Sequence, residues 1–219
     1  MVILAGALAS CSSSSASAPT FEDRDVPGRN TNPDGVPYPA DHLGGHPRSG
    51  KLRGDRIPNL TFQAYVDGDH AAGLKTVSLA DYFDPEQRRQ KTLHIEVSAV
   101  WCTICASVTE ATVSVKDPLG REGIAYLEVI LAGARGGEGP SLADVEGWID
   151  RHHSNLTTGI DVRGRRLGAI GVDPAVMPWD IVLDTRTMEI LDSSGGAPQD
   201  IVKYDRSYVA LVDSMAPSY

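Results

Sequence analysis

The chain has 219 residues, a formal net charge of −9, and 41% hydrophobic and 22% charged residues. That is enough apolar material for a core in one globular domain and little for two. The acidity argues against nucleic acid as a partner, since a phosphate backbone rewards clustered cations and the densest basic run here is only Arg163, Arg165 and Arg166. Three cysteines, one alone at Cys11 and two paired at Cys102 and Cys105, argue against a disulfide-stapled mini-scaffold.

At the start, Val2 to Ala9 is an apolar run too short to span a bilayer, which takes about 20 residues. It matches the core of a secretory signal. Leu8-Ala9-Ser10-Cys11 then resembles the bacterial lipobox. The resemblance implies that residues 1–10 are a removed signal segment and that Cys11 carries lipid. It also implies that the protein sits on the periplasmic side of a bacterial membrane. Ser12 after Cys11 resembles the pattern of outer-membrane sorting, whereas the lack of Lys or Arg before Arg24 departs from the usual signal opening. Residues 11–53 are rich in Ser, Pro and Gly, bury little apolar surface and read as a tether, of span on the order of 35 Å for about 40 residues. Val36-Pro37-Tyr38-Pro39 leaves open the alternative of docking on the domain.

From residue 54 to 219, strand and helix signals alternate. Asn59 to Tyr65 alternates polar and apolar residues as a half-buried strand does, and Val77 to Phe83 leads into a short helix or turn. Leu93 to Val100 is a β-branched strand running straight into Trp101-Cys102-Thr103-Ile104-Cys105 and a helix to Lys116, which Asp117-Pro118-Leu119-Gly120 is expected to end. Ile124 to Ala132 is nearly continuous apolar, the pattern of a strand covered on both faces. After a Gly-rich loop, Ser141 caps a helix using Leu142, Val145, Trp148, Ile149 and His152, with Leu156 to Asp161 a further short strand. Ile181–Asp184 and Met188–Leu191 form a hairpin, and a last helix has Ile201, Tyr208, Leu211, Val212 and Met215 on its inner face. This order indicates one α/β domain with a central mixed sheet flanked by helices.

The chemistry lies in the cysteine pair. Two cysteines separated by two residues at a helix start meet the roughly 4.4–6.8 Å Cα spacing of a disulfide. Free N–H groups and the positive helix end favour thiolate at the first position. Cys102 is therefore the expected nucleophile and Cys105 the shielded, resolving thiol.

With Trp101 and a strand before it and a helix after it, this motif resembles that of the thioredoxin-like superfamily, specifically the membrane-tethered thiol–disulfide reductases related to cytochrome c maturation. The similarity includes Arg56-Ile57-Pro58-Asn59-Leu60-Thr61-Phe62 as an opening strand and Val172 to Asp184 as the cis-proline strand. The resemblance implies a thioredoxin-like fold with Trp101, Cys102 and Cys105 at the active site. It further implies a cis Met177–Pro178 bond beside the cysteines and Glu96 as a buried acid beneath them, accepting the Cys105 proton. Burial would raise the pKa of that acid toward the range useful for proton transfer. It implies protein thiols and disulfides as partners, no cofactor beyond the Cys102–Cys105 disulfide, and a monomer. Ile104 stands where classical thioredoxins have Pro, and Trp179 and Asp180 replace small polar residues after the cis-proline, where a carboxylate would disfavour the thiolate or steer partners.

Four other readings compete. Structural zinc wants four ligands, and His42, His46, His70, His94, His152 and His153 supply no suitable spacing. A copper-binding metallochaperone of thioredoxin fold is the alternative that thiolates allow, and a non-catalytic binding lipoprotein with a structural disulfide is another, although so short a loop adds little stability. Peroxidase chemistry is disfavoured because Ser98-Ala99-Val100-Trp101, ahead of Cys102, contains no proline. Trp148 and Trp179 are expected to serve packing.

Overall fold

The computed structural model describes residues 20–40, 52–135 and 137–216. The expected signal segment, Cys11 and Ser12 lie outside the described residues. Seven strands form one sheet: β1 (Thr61–Tyr65), β2 (Lys75–Ser78), β3 (Thr92–Ala99), β4 (Ile124–Ala132), β5 (Thr157–Ile160), β6 (Trp179–Asp184) and β7 (Glu189–Gly195), in the order β2-β1-β5-β4-β3-β6-β7. β3 pairs in parallel with β4, and β4 with β5, while the outer pairs are antiparallel. Three helices follow: α1 (Thr103–Gly120), α2 (Leu142–His152) and α3 (Ile201–Ser214). Among the described residues no helix is long and apolar enough to cross a membrane.

β3 is buried along its whole length, so its two faces differ in what they carry rather than in exposure. Leu93, Ile95 and Val97 join Ile57, Phe62, Leu79 and other buried residues in the largest apolar cluster, each such side chain contributing about 1.5–3 kcal/mol. His94, Glu96 and Ser98, alternating with them, point to the opposite face, where His94 and Glu96 meet α3 and α1. α1 packs against β3, β4, α2 and α3, which places the helices over this polar row.

Local signals explain the helix ends. Ser141 and Asp144 form a capping box at α2, and Asp200 accepts from the Lys203 N–H at α3. α1 does not end at Asp117-Pro118 as its sequence suggests but continues to Gly120 with Pro118 inside its last turn. The backbone hydrogen bond that proline cannot donate is offset because continuing the helix buries Leu119 with Ile124, Tyr126 and Leu156.

The tether expectation does not hold for residues 20–40, which pack on the domain. Asp23 is paired with Arg166 at 2.6 Å and receives the Val162 N–H, Asn32 Nδ2 donates to the Phe83 carbonyl, and the Tyr38 hydroxyl donates to the Ile57 carbonyl at 2.7 Å. Gly28 lies so close to β1 and β2 that a Cβ there would stand 2.0 Å from Ser78 Oγ. Charge pairing and backbone capture hold this stretch together with the packing of Phe21 and Tyr38 on the apolar clusters, contacts that composition alone does not reveal. The same contacts neutralise Arg165 and Arg166 through Asp23 and Asp25.

α3 carries a further surprise. Asp205 is buried on its inner face with Ile201 and Val212, whereas Met215, expected inside, is exposed. Asp205 Oδ1 lies 2.9 Å from His94 Nδ1, Asp180 Oδ1 lies 2.9 Å from His94 Nε2, and the Tyr126 hydroxyl donates to Asp205 Oδ2 at 2.5 Å. Both ring nitrogens face carboxylates, an arrangement that suits an imidazolium donating to both. Burial opposes that charge, but Asp205 and Asp180 outweigh it and hold His94 protonated well above the ordinary imidazole range. Replacing His94→Ala leaves two buried carboxylates unpaired, and urea unfolding at neutral pH is expected to show a loss of about 3–5 kcal/mol.

Candidate active site

β3 delivers the chain directly to the cysteines. Cys102 is the N-cap of α1 in extended conformation, and the Cys105 N–H points at Cys102 Sγ from 3.1 Å. The two form a disulfide with Cα atoms 5.2 Å apart. Cys105 is fully buried whereas Cys102 keeps 6% exposure, and Trp101 and Ile104 beside them are 44% and 56% exposed. In the reduced state the N–H aimed at Cys102 Sγ and the helix terminus both favour its thiolate.

The Met177–Pro178 bond is cis. The antiparallel register of β3 and β6, Val97 opposite Trp179, carries Pro178 toward the strand end that leads into Cys102. Met177 packs against the cluster that contains Cys102 and Cys105. The structure thus brings together Trp101, Cys102, Cys105 and Met177–Pro178 at one edge of the sheet. A groove of about 320 Å³ runs beside them, lined among others by Trp101, Leu131, Arg163, Pro174, Ala175 and Met177. Sequence reasoning did not single out Pro174 or Ala175 as groove residues, since nothing in their local pattern marks them.

Glu96 is buried on the helix-covered face. Cys105, Thr109 and Thr112 share the inner side of α1 at helical spacing, and the hydroxyls of Thr109 and Thr112 both reach Glu96 at 2.9 Å, placing the acid one turn below Cys105. Burial, then the nearby carboxylates of Glu128 and Asp180, push its pKa up to about 8. Ser98, two residues nearer the cysteines on the same face of β3, is fully buried and its hydroxyl has no partner among the described residues.

Glu128 was hidden inside the apolar run of β4. It stands opposite Glu96 in the register, fully buried, and burial pushes its pKa up to about 7. Trp148, expected to be packing alone, donates its indole N–H to Glu128 at 2.8 Å. Trp179 likewise has a polar contact, donating to Ser193 Oγ. Asp180 neither lines the groove nor meets solvent, because β6 turns its side chain inward to His94, so it has no route to steer partners. Among the described residues no three His, Cys, Asp or Glu side chains group as a metal site.

No protein-family model matches the chain, and no curated protein matches it. Solved structures do. A protein described as a thiol:disulfide interchange protein DsbE, from Chlorobium tepidum, superposes with a TM-score of 0.55 at 19% identity, covering 74% of this chain and 98% of that one. The exposed lipoprotein thioredoxin Etrx1 of Streptococcus pneumoniae gives 0.51 at 20% identity, covering 72% and 100%. AhpC of Enterococcus faecalis gives 0.57 at 13% identity, covering 77% and 100%. The fold is thioredoxin-like.

The two raised carboxyls make stability pH-dependent. Glutamate in an unfolded chain titrates near about 4.3, so Glu96 and Glu128 hold protons when folded that the unfolded chain releases. Their contribution is complete below that unfolded value and is lost as pH rises through about 7 and about 8. Glu96→Gln is expected to flatten this decline, so that urea unfolding at about pH 5 and about pH 9 differs less in the variant than in the parent. Parallel curves for the two proteins would contradict the protonated state.

Proposed function

We propose that this domain is an extracytoplasmic thiol–disulfide oxidoreductase that exchanges disulfides with partner proteins. The observation that carries the reading is the Cys102–Cys105 disulfide at the mouth of α1, with the exposed Trp101 and Ile104 beside it and a buried acid behind it. The likeness to a thiol:disulfide interchange protein and to an exposed lipoprotein thioredoxin supports it. In this reading Cys11 carries lipid that holds a monomer at a bacterial membrane. The disulfide itself serves in place of any added cofactor.

The chemistry runs in two steps. Cys102 thiolate attacks a partner disulfide, forming the mixed disulfide and releasing the first partner sulfur as thiolate. Cys105 then gives up its proton toward Glu96, one turn below it, and attacks Cys102 Sγ. The enzyme pair is oxidised by two electrons, and the partner disulfide is reduced to two thiols. Each of the chain's other features serves positioning. Met177–Pro178 borders the cysteines, and the apolar rim of Trp101, Ile104 and Val176 offers exposed surface for an extended polypeptide.

Mixing the reduced protein with a disulfide-bonded polypeptide tests the reading. Cys105→Ser is expected to accumulate the mixed disulfide, resolved on a non-reducing gel, and Cys102→Ser to form none. Glu96→Gln is expected to slow resolution while leaving the first attack nearly intact. A parent protein whose Cys102 is inert to alkylation and to partner disulfides would overturn the enzymatic reading.

A further inference from the structure

We propose that Glu128 is a positioning residue for the resolving step: Glu96 and Glu128, bridged by the Thr109 hydroxyl, form one proton-holding unit, so that Cys105 yields its proton to a carboxyl pair rather than to Glu96 alone. This rests on the oxidoreductase reading above and goes beyond it in naming the acceptor.

The argument begins with a count of hydrogens. Thr109 Oγ1 lies 2.9 Å from Glu96 Oε1 and 2.7 Å from Glu128 Oε1. A hydroxyl has one hydrogen and can donate to only one of them. The other contact is a hydrogen bond only if the carboxyl itself carries the proton. At least one of the two acids is therefore protonated in this geometry, and Thr109 reads out which one by turning its hydroxyl.

The remaining contacts favour the same conclusion. Thr112 donates to Glu96 Oε2 at 2.9 Å, and the Trp148 indole N–H donates to Glu128 Oε1 at 2.8 Å, with Thr158 at 3.4 Å from Glu128 Oε2. All of these donors are neutral, so none supplies the charge that two buried carboxylates would need. The charged groups around the pair do not supply it either. On β3, His94 is a cation but is shared between Asp180 of β6 and Asp205 of α3. On β4, Tyr126 donates to Asp205, on β1 Tyr65 bonds Glu146, and on α3 Tyr204 bonds Asp192. On α2, His152 meets Trp148 edge-on and faces the exposed Glu110 of α1. The cysteines of α1 are joined in a disulfide and carry no charge. Four carboxyls against one imidazolium leave an excess of negative charge in the interior, and a shared proton is what relieves it. Consistent with this, both acids are pushed up toward neutrality, Glu96 partly by Glu128 itself.

In the resolving step the pair gains the proton that Cys105 loses, the Cys102–Cys105 bond forms, and the Cys102–partner bond breaks with the partner sulfur leaving as thiolate. Because the second carboxyl repels charge on the first, the pair is a stronger base than either acid would be alone.

The test is a carbon-13 titration of glutamate side-chain carboxyls in the oxidised protein, where the cysteines do not titrate. In the parent, the Glu96 and Glu128 signals are each expected to follow two steps, the signature of coupled sites. In Glu128→Gln the Glu96 midpoint is expected to fall by about one pH unit and to become a single step, and resolution of the mixed disulfide near pH 8 to slow several-fold while first attack is unchanged. Thr109→Ser, which keeps the hydroxyl, is expected to preserve the parent titration. Independent one-step curves in the parent, or an unmoved Glu96 midpoint in the variant, would overturn the shared proton. Those outcomes with disulfide exchange intact would leave the oxidoreductase reading standing, whereas a parent that forms no mixed disulfide would remove that reading instead.

Discussion

Charge buried on one face of a sheet sets the terms for everything around it. The side of β3 and β4 under the helices holds Glu96, Glu128, Asp180 and Asp205 with one imidazole, His94. Desolvating four carboxylates would cost far more than their mutual contacts return, so the interior offsets the cost with protons at Glu96 and Glu128, with His94 between Asp180 and Asp205, and with neutral donors. This explains an otherwise odd helix. α1 carries Thr109 and Thr112 on its inner stripe, residues of middling helix propensity placed where leucine would pack better. Their hydroxyls are what the sheet beneath them requires.

The same constraint links the two halves of the polar row. His94 is held between β6 and α3 by Asp180 and Asp205, so the cation nearest Glu96 is committed to other partners. Asp180 itself raises the proton affinity of Glu96 through its charge, whereas His94 lowers it. The second position after the cis-proline thus acts on the carboxyl beneath the cysteines through the interior rather than across the groove.

What the sequence made legible follows from what leaves a pattern. The cysteine pair, the strand before it and the β4 limits Ile124–Ala132 were visible because apolar runs and turn residues bound them. The cis Met177–Pro178 bond and the burial of Glu96 were visible through the family resemblance. Glu128, Asp205 and the indole bond of Trp148 were not, because periodicity arguments treat an acid as a surface residue and an aromatic as packing. A buried acid leaves no trace in hydropathy except an interruption, and one interruption in nine residues of β4 reads as noise. Residues 20–35 escaped for a related reason: Asp23 and Asn32 dock through polar contacts that composition counts as solubility, whereas the docking of Tyr38 is the alternative that the sequence left open.

Fold alone does not choose among chemistries here. Structures described as disulfide interchange proteins and as AhpC superpose on this chain about equally well, all below one-quarter identity. The choice therefore rests on a few side chains at one helix entrance. A second sulfur one turn away, already bonded to the first, suits exchange between disulfides. Ahead of Cys102 stand Ser98, Ala99, Val100 and Trp101, and Ser98, fully buried, shares a face of β3 with Glu96. A site that must manage the proton of an interior thiol needs a base on the inside. Glu96, Thr109 and Glu128 lie on that inner side, and the exposed side chains of Trp101 and Ile104 lie on the outer one.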